Sequence, residues 1–392
     1  MVTPRGNVQD VGRSHAKAEK HPIPLLFRLN LINLSSRITQ VLAVASVLVL
    51  ASCGGNDSTN GSGNDRLVLN QRVNLVGAGA SFPAPLYQRW FQELSRKTPN
   101  LQIDYQSVGS GAGIERFTQG LVQFSASDVA MTDEEIARVQ RGVFLLPMTA
   151  GSIVLAYNLP GVENLRLSRK TYADIFLGKI RNWNDPAIAK DNPGVQLPNQ
   201  PLTVVFRSDG SGTTGVFTRH MSAISQEWKN KIGQGVSVQW PVGVGGARND
   251  GVAAQVRQSP GAIGFLEYGF ARSAGLPAAT LENKSGNFVE ATGSSATRAL
   301  ESVPLPDDLR AFIDDPEGDE SYPIVTYSWL LVYRESPDPV IAKSIEAMVE
   351  YGLNQGQEIS PELGYIQLPQ NVRERVAEVA DKISPDFQIK VK

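Results

Sequence analysis

Three segments of this chain set glycine and a hydroxyl residue between an extended run and a helical one: residues 77–83 (GAGASFP), 109–113 (GSGAG) and 207–215 (RSDGSGTTG). The chemistry they share is anion binding. A helix start presents N–H donors that no earlier turn can satisfy, together with a partial positive charge. Glycine lets the backbone approach the anion, and serine or threonine adds a rotatable donor. One such segment is an ordinary N-cap with a tight turn, whereas three in one chain point to an anion site.

Other readings of the same glycines fail on single residues. Residues 210–215 have the spacing of a phosphate-cradling P-loop start, but Val216 and Phe217 stand where the cation and the magnesium-binding hydroxyl belong. Residues 77–79 and 243–245 open like a dinucleotide fingerprint, yet Phe82 and Arg248 occupy the third glycine position. No serine sits in G-x-S-x-G, and His220 is the only histidine beyond residue 52, so neither a serine–histidine triad nor a histidine-based metal centre can be assembled. Hydrolysis lacks its usual parts.

The elements that must position these turns read as α/β. Short apolar or β-branched runs alternate with helical patterns: strands at 74–76, 102–108 and 123–127, helices at 85–95, 112–120 and 132–140. Thr132 to Glu135 is a capping-box match. Two apolar runs, 144–148 and 153–157, precede a turn at 158–161. Beyond it come helices at 168–177, 212–222 and 251–258, strands at 202–207 and 263–268, and a loop-rich stretch at 285–321. A long strand at 324–333 and helices at 339–353 and 371–383 close the chain.

Four separated motifs, residues 77–85, 124–128, 207–213 and 240–251, together resemble the phosphate-binding proteins of bacterial ABC importers, in order and at compatible spacing from about residue 73 to the end. The resemblance implies a two-lobed, type II periplasmic-binding-protein-like fold with the ligand cleft between lobes. The first lobe would hold residues 70–150, the second 151–322, and 323–392 would return to the first. It also implies inorganic phosphate as ligand, the permease and ATPase subunits of a phosphate importer as partners, and no cofactor, metal or reaction. By motif, Ser81 and Ser110 would give hydroxyls and Phe82 an N–H. Arg207 would supply the cation, and Ser211, Gly212 and Thr213 further donors. Asp209 would hold the Arg207 guanidinium by an ion pair. Asp128 would accept a hydrogen bond from a proton on the ligand, which phosphate carries at neutral pH and sulfate does not. Ser81 stands where the family commonly has threonine, and Ala112 interrupts a glycine pair. A receptor for another tetrahedral oxyanion, or a phosphatase on the same scaffold, is the alternative.

Composition agrees with a partner that is neither nucleic acid nor an anionic bilayer as such. The chain has 37 Lys and Arg against 39 Asp and Glu, and residues 1–52 hold six of the former and two of the latter, so the remainder is acidic. The single cysteine, Cys53, follows a 12-residue apolar run at 41–52, the length of a signal-peptide core. Residues 50–53 (LASC) resemble a bacterial lipoprotein processing signal, which makes 1–52 a leader, Cys53 the lipidated residue and 53–69 a flexible tether. The expected place is the periplasm or the outer face of the cytoplasmic membrane.

Overall fold

A computed structural model describes residues 67–392; the leader, Cys53 and the tether through residue 66 lie outside the described residues. Strand and helix alternate as β1 (Val73–Gly79), α1 (Ala84–Lys97), β2 (Leu101–Ser107), α2 (Ser110–Thr118), β3 (Phe124–Ser127), α3 (Asp133–Ala137) and β4 (Val143–Tyr157). There follow β5 (Arg166–Leu167), α4 (Arg169–Phe176), α5 (Pro186–Asp191), β6 (Thr203–Arg207), α6 (Gly212–Ile224), α7 (Gln226–Lys231), β7 (Val244–Gly246) and α8 (Arg248–Gln258). Next are β8 (Ala262–Glu267), α9 (Tyr268–Ser273), β9 (Thr280–Glu282), β10 (Phe288–Val289) and α10 (Gly293–Glu301). The last part holds β11 (Val325–Tyr333), α11 (Pro339–Leu353), α12 (Gln355–Ile359) and α13 (Gln370–Ala380). Among the described residues no helix is long and apolar enough to cross a membrane.

The two apolar runs at 144–148 and 153–157 are one strand. β4 is buried along almost all of its length because it serves two sets of neighbours. It pairs antiparallel with β11 as far as Ser152, then with β8 from Ile153 to Tyr157. The register with β11 shifts between Ser328 and Trp329, where Pro147 has no N–H to offer the ladder. The main sheet therefore runs β2-β1-β3-β11-β4-β8-β6-β7. β1 lies parallel between β2 and β3, and β6 parallel between β8 and β7. This mixed α/β arrangement is two-lobed, one lobe on β2-β1-β3-β11 and the other on β8-β6-β7, with β4 common to both. A small sheet, β10-β9-β5, stands apart.

Local chemistry sets several boundaries. Thr132 caps α3 as the capping box predicts, with Glu135 N–H on its hydroxyl and the Glu135 carboxylate on its own N–H, although the helix ends at Ala137 rather than near residue 140. α8 begins at Arg248, three residues before the expected start. The loop-rich stretch contains α10, whose polar start hid a Thr292 and Ser295 capping box.

The rest of that stretch forms a strap that touches both lobes. Arg375 of α13 donates to Leu305 O and Pro306 O, and Trp329 Nε1 of β11 donates to Leu309 O at 2.8 Å. Arg310 reaches Asp133 of α3 at 2.7 Å. A few residues on, Asp314 accepts from Arg219 of α6, and Asp315 takes both Nη groups of Arg169 of α4 at 2.7 and 2.8 Å. His220 lies beneath, between Tyr172 Oη and Asp314 O at 2.8 Å each, and burial pushes its pKa down to about 4.

Each lobe has its own aromatic interior. Tyr87, Phe91, Tyr105 and Phe124 pack behind β1 and β3. In the other lobe Phe217 of α6 stacks on Phe265 of β8 with centroids 4.4 Å apart and meets Phe176 edge-on at 4.8 Å. Phe217 is fully buried, so Phe217→Ala should destabilise the protein by about 3–5 kcal/mol. Urea unfolding of the two proteins measures this, and a loss under about 1 kcal/mol would mean that the ring does not anchor α6.

Candidate functional site

All of the charged and helix-starting turns picked out above lie at carboxyl ends of parallel strands, and the two lobes bring them face to face. β1 delivers Ser81 and Phe82, β3 delivers Asp128, β6 delivers Arg207 and β7 leads into α8. Such ends are where open α/β sheets place their ligands. α1 and α2 start at Pro83 and Gly109 with no side-chain cap, and Ala84 N–H of α1 turns back to Ser81 O at 3.2 Å. α6 starts after Ser211, whose Oγ accepts from Thr214 N at 3.0 Å.

The lobes meet closely. Gly111 N–H of α2 donates across the cleft to Gly210 O at 3.0 Å. A Cβ on Gly212 would fall 2.4 Å from Ser110 Oγ and 2.8 Å from Asp128 Cβ, so only glycine admits this approach. Ser81, Phe82, Ser110, Asp128, Arg207, Ser211 and Thr213 are each at most 4% exposed.

Inside, donors outnumber acceptors. Arg207 gives Nε and Nη2 to the two oxygens of Asp209 at 2.8 and 2.6 Å, and Nη1 to Thr213 Oγ1 at 3.2 Å. Asp209 also accepts from Arg248 N at 2.9 Å. Burial alone would raise the Asp209 carboxyl, and the Arg207 pair and the Arg248 N–H more than offset it, so it sits below the ordinary aspartate range. The expected ion pair is therefore formed. Among the described residues, the hydroxyl protons of Ser81, Ser110 and Ser211 and the N–H groups of Phe82, Gly212 and Thr213 have no acceptor. Buried donors without acceptors are rare in native proteins, and here they cluster.

Asp128 is the one carboxyl directly among them. Ser328 Oγ donates to its Oδ1 at 3.0 Å and Thr213 Oγ1 to its Oδ2 at 3.3 Å. Its main-chain N–H meets Ser110 Oγ at 3.3 Å, and Thr326 Oγ1 donates to its carbonyl at 3.0 Å. Burial pushes its pKa up to about 7 against the opposing pull of Ser328, Arg207 and Thr213. Glu267, behind Asn249, is pushed to about 8, again mainly by burial, while capping Gly269 N and Phe270 N.

Three neighbours escaped the reading of the sequence. Thr326 and Ser328 are two residues apart on β11, hence on one face, and hydroxyls inside an otherwise apolar strand were the available signal. Asn249 lay within a quoted motif but drew no role. It donates from its N and Nδ2 to Ser81 Oγ at 3.2 and 3.0 Å.

A two-lobed α/β chain that closes uncapped helix starts, one buried arginine and one carboxyl around a common point is built as a solute-binding protein. The sequence model of the PBP superfamily domain matches residues 57–352. The chain belongs to that superfamily and, within it, to the PstS phosphate-binding proteins. The phosphate-binding protein PstS of Pasteurella multocida is 39% identical over 310 residues, 78% of this chain and 89% of that one. PstS of Methanocaldococcus jannaschii is 36% identical, covering 84% and 90%. The fold matches that of a high-affinity periplasmic phosphate-binding protein, PfluDING, solved with phosphate bound, at a TM-score of 0.65 and 17% identity over 82% of this chain and all of that one.

The Asp128 carboxyl gives a stability prediction. Its folded pKa stands above the unfolded value, so its contribution is fully present below about pH 4 and is lost as the pH rises through about 7. Without phosphate, Asp128→Asn should therefore unfold at higher denaturant than the parent, by a gap that grows from pH 4 to 7 to on the order of a few kcal/mol. A gap that does not change with pH would show that Asp128 titrates normally in the folded protein.

Proposed function

We propose that this protein captures inorganic phosphate in the cleft between its lobes and delivers it to an ABC-type importer, without catalysing a reaction. The observation that carries this is the set of buried donors around Arg207, left without acceptors and facing a single carboxyl. Phosphate supplies acceptor oxygens to the donors and a proton to Asp128. Ser81, Phe82, Ser110, Arg207, Ser211, Gly212 and Thr213 are the proposed ligand contacts, Asp128 the acceptor of the ligand proton, and Asp209 the residue that holds Arg207. Thr213 would contribute its N–H, since its hydroxyl already serves Asp128.

Opening of the lobes admits the anion and closing removes it from water. The proposed division runs 70–150 and 323–392 for one lobe and 151–322 for the other. It is supported by the change of partner in β4 after Ser152 and by the bond from Ile153 N to Ile324 O at 2.9 Å. A place outside the cytoplasm, with a permease and its ATPase as partners, is supported by the structural neighbours described as a periplasmic phosphate-binding protein and as the substrate-binding protein of a phosphate ABC transporter. Anchoring through a lipid on Cys53 belongs to the same proposal.

The test is calorimetric titration of the full-length protein, freed of endogenous phosphate, with phosphate and with sulfate at pH 8. One phosphate per chain with sulfate silent is the expected result, because sulfate would leave the ionised Asp128 facing like charge. As the pH falls below about 7, Asp128 takes up a proton and can donate to sulfate, so the discrimination should narrow. Asp128→Asn should narrow it at every pH. Equal binding of the two anions at pH 8 would refute the role of Asp128, and no phosphate binding would refute the function.

A further inference from the structure

Among the described residues, Ser81 Oγ is the one hydroxyl of the cleft whose two lone pairs are both taken by a single residue of the opposite lobe. Asn249 supplies its N–H at 3.2 Å and its side-chain Nδ2 at 3.0 Å. A serine oxygen has two lone pairs and one proton, so with both lone pairs engaged the proton must leave in the remaining direction. Among the described residues that proton meets no acceptor, and Ser81 is 2% exposed. Ser110 differs, because a single donor, Asp128 N, holds its oxygen and leaves its hydroxyl freer to turn.

The orientation of Asn249 is itself fixed. Glu267 N donates to its Oδ1 at 3.0 Å, which leaves the NH2 end toward Ser81 and, at 3.5 Å, Thr213 Oγ1. The preceding residue, Arg248, has a φ of 60°, in the left-handed region that non-glycine residues seldom occupy. That twist sends two successive N–H groups to different places, Arg248 N to Asp209 Oδ1 and Asn249 N to Ser81 Oγ. Local strain of this kind persists where the surroundings hold it and it serves the site.

We propose that Asn249 is a positioning residue: on lobe closure its two N–H groups occupy both lone pairs of Ser81 Oγ and turn the Ser81 hydroxyl proton onto the bound oxyanion. The proposal rests on the phosphate-receptor reading and adds to it that closure aims a donor as well as excluding water. In the open protein Ser81 is hydrated and its proton points anywhere. In the closed protein the entropy of that rotor has been removed by a neighbour rather than by the ligand.

Phosphate affinity of the full-length protein and of Asn249→Ala, Asn249→Asp, Ser81→Ala and the double variants Ser81→Ala/Asn249→Ala and Ser81→Ala/Asn249→Asp tests this, with thermal unfolding in the absence of phosphate as the folding control. Asn249→Ala should bind phosphate about 10-fold more weakly, the scale of one lost hydrogen bond to a charged partner. Asn249→Asp should be worse, by about 100-fold or more, because a carboxylate oxygen facing Ser81 takes the hydroxyl proton for itself and adds like charge beside the anion; in the Ser81→Ala background only the charge remains, so its cost should shrink. Comparing the parent and Ser81→Ala backgrounds separates positioning from packing or charge, which cost the same with or without the Ser81 hydroxyl. In the Ser81→Ala background, Asn249→Ala should change affinity less than 2-fold. If its cost there equals its cost in the parent, or if aspartate is tolerated better than alanine, the proposal is overturned. Should Asn249→Ala prove too unstable to purify, Asn249→Asp measured with and without Ser81→Ala carries the same cycle. A parent protein that binds no phosphate overturns the receptor reading and this proposal with it, whereas a parent that binds while the cycle is additive overturns this proposal only.

Discussion

The pair between Arg207 and Asp209 is the interaction on which the site depends. A guanidinium with its side chain only 1% exposed is costly to hold away from water unless its donors are met in good geometry. Asp209 meets two of them, and the same carboxylate takes the N–H of Arg248, so one side chain joins the β6 turn to the start of α8. Gly109 of the facing lobe packs against Asp209, where a Cβ would lie 2.5 Å from Oδ2. The cation is thereby held by its own lobe and fitted to the other. What remains of its hydrogen-bonding capacity is directed at Thr213 and the cleft.

Around that fixed charge the site is an exercise in counting. Asp128 spends one oxygen on Ser328 and the other on Thr213, and its burial keeps it near the edge of ionisation at neutral pH. The hydroxyls are sorted by what they already do: Ser211 accepts as an N-cap, Thr213 donates to Asp128, and Ser81 and Ser110 accept and keep their protons. In the proposed reading, selectivity follows from the protons an anion brings, because charge alone would draw any small anion to Arg207.

Much of this could be read in the residues, for reasons that are physical. The turns at 77–83, 109–113 and 207–215 were legible because a glycine, a hydroxyl and a helix start follow one another locally in the chain. The alternation of strand and helix was legible from periodicity, and the Thr132 box from its two end residues. The identity of β4 as one strand was not, because Pro147 and Gly151 interrupt its composition while its partners, β11 and β8, come more than a hundred residues later. Thr326, Ser328 and Asn249 reach the site through pairing registers and a left-handed residue that no local pattern encodes. α10 was missed because its first turn is made of small polar residues that read as loop.

The strap between α10 and β11 gives the cleft a second clasp. Any movement that parts Gly111 from Gly210 leaves residues 305–315 fastened to both sides, and one side must yield. On the α4 and α6 side stand two-pronged carboxylate pairs from Arg169 and Arg219. On the other, Arg375 holds Leu305 O and Pro306 O, Trp329 holds Leu309 O, and Arg310 reaches Met131 O and the exposed Asp133 carboxylate. Both ends of the strap are held by several bonds, so parting the lobes must break contacts of the strap as well as those of the cleft. In the proposed reading, the residence time of a captured anion is then governed in part by contacts that never touch it.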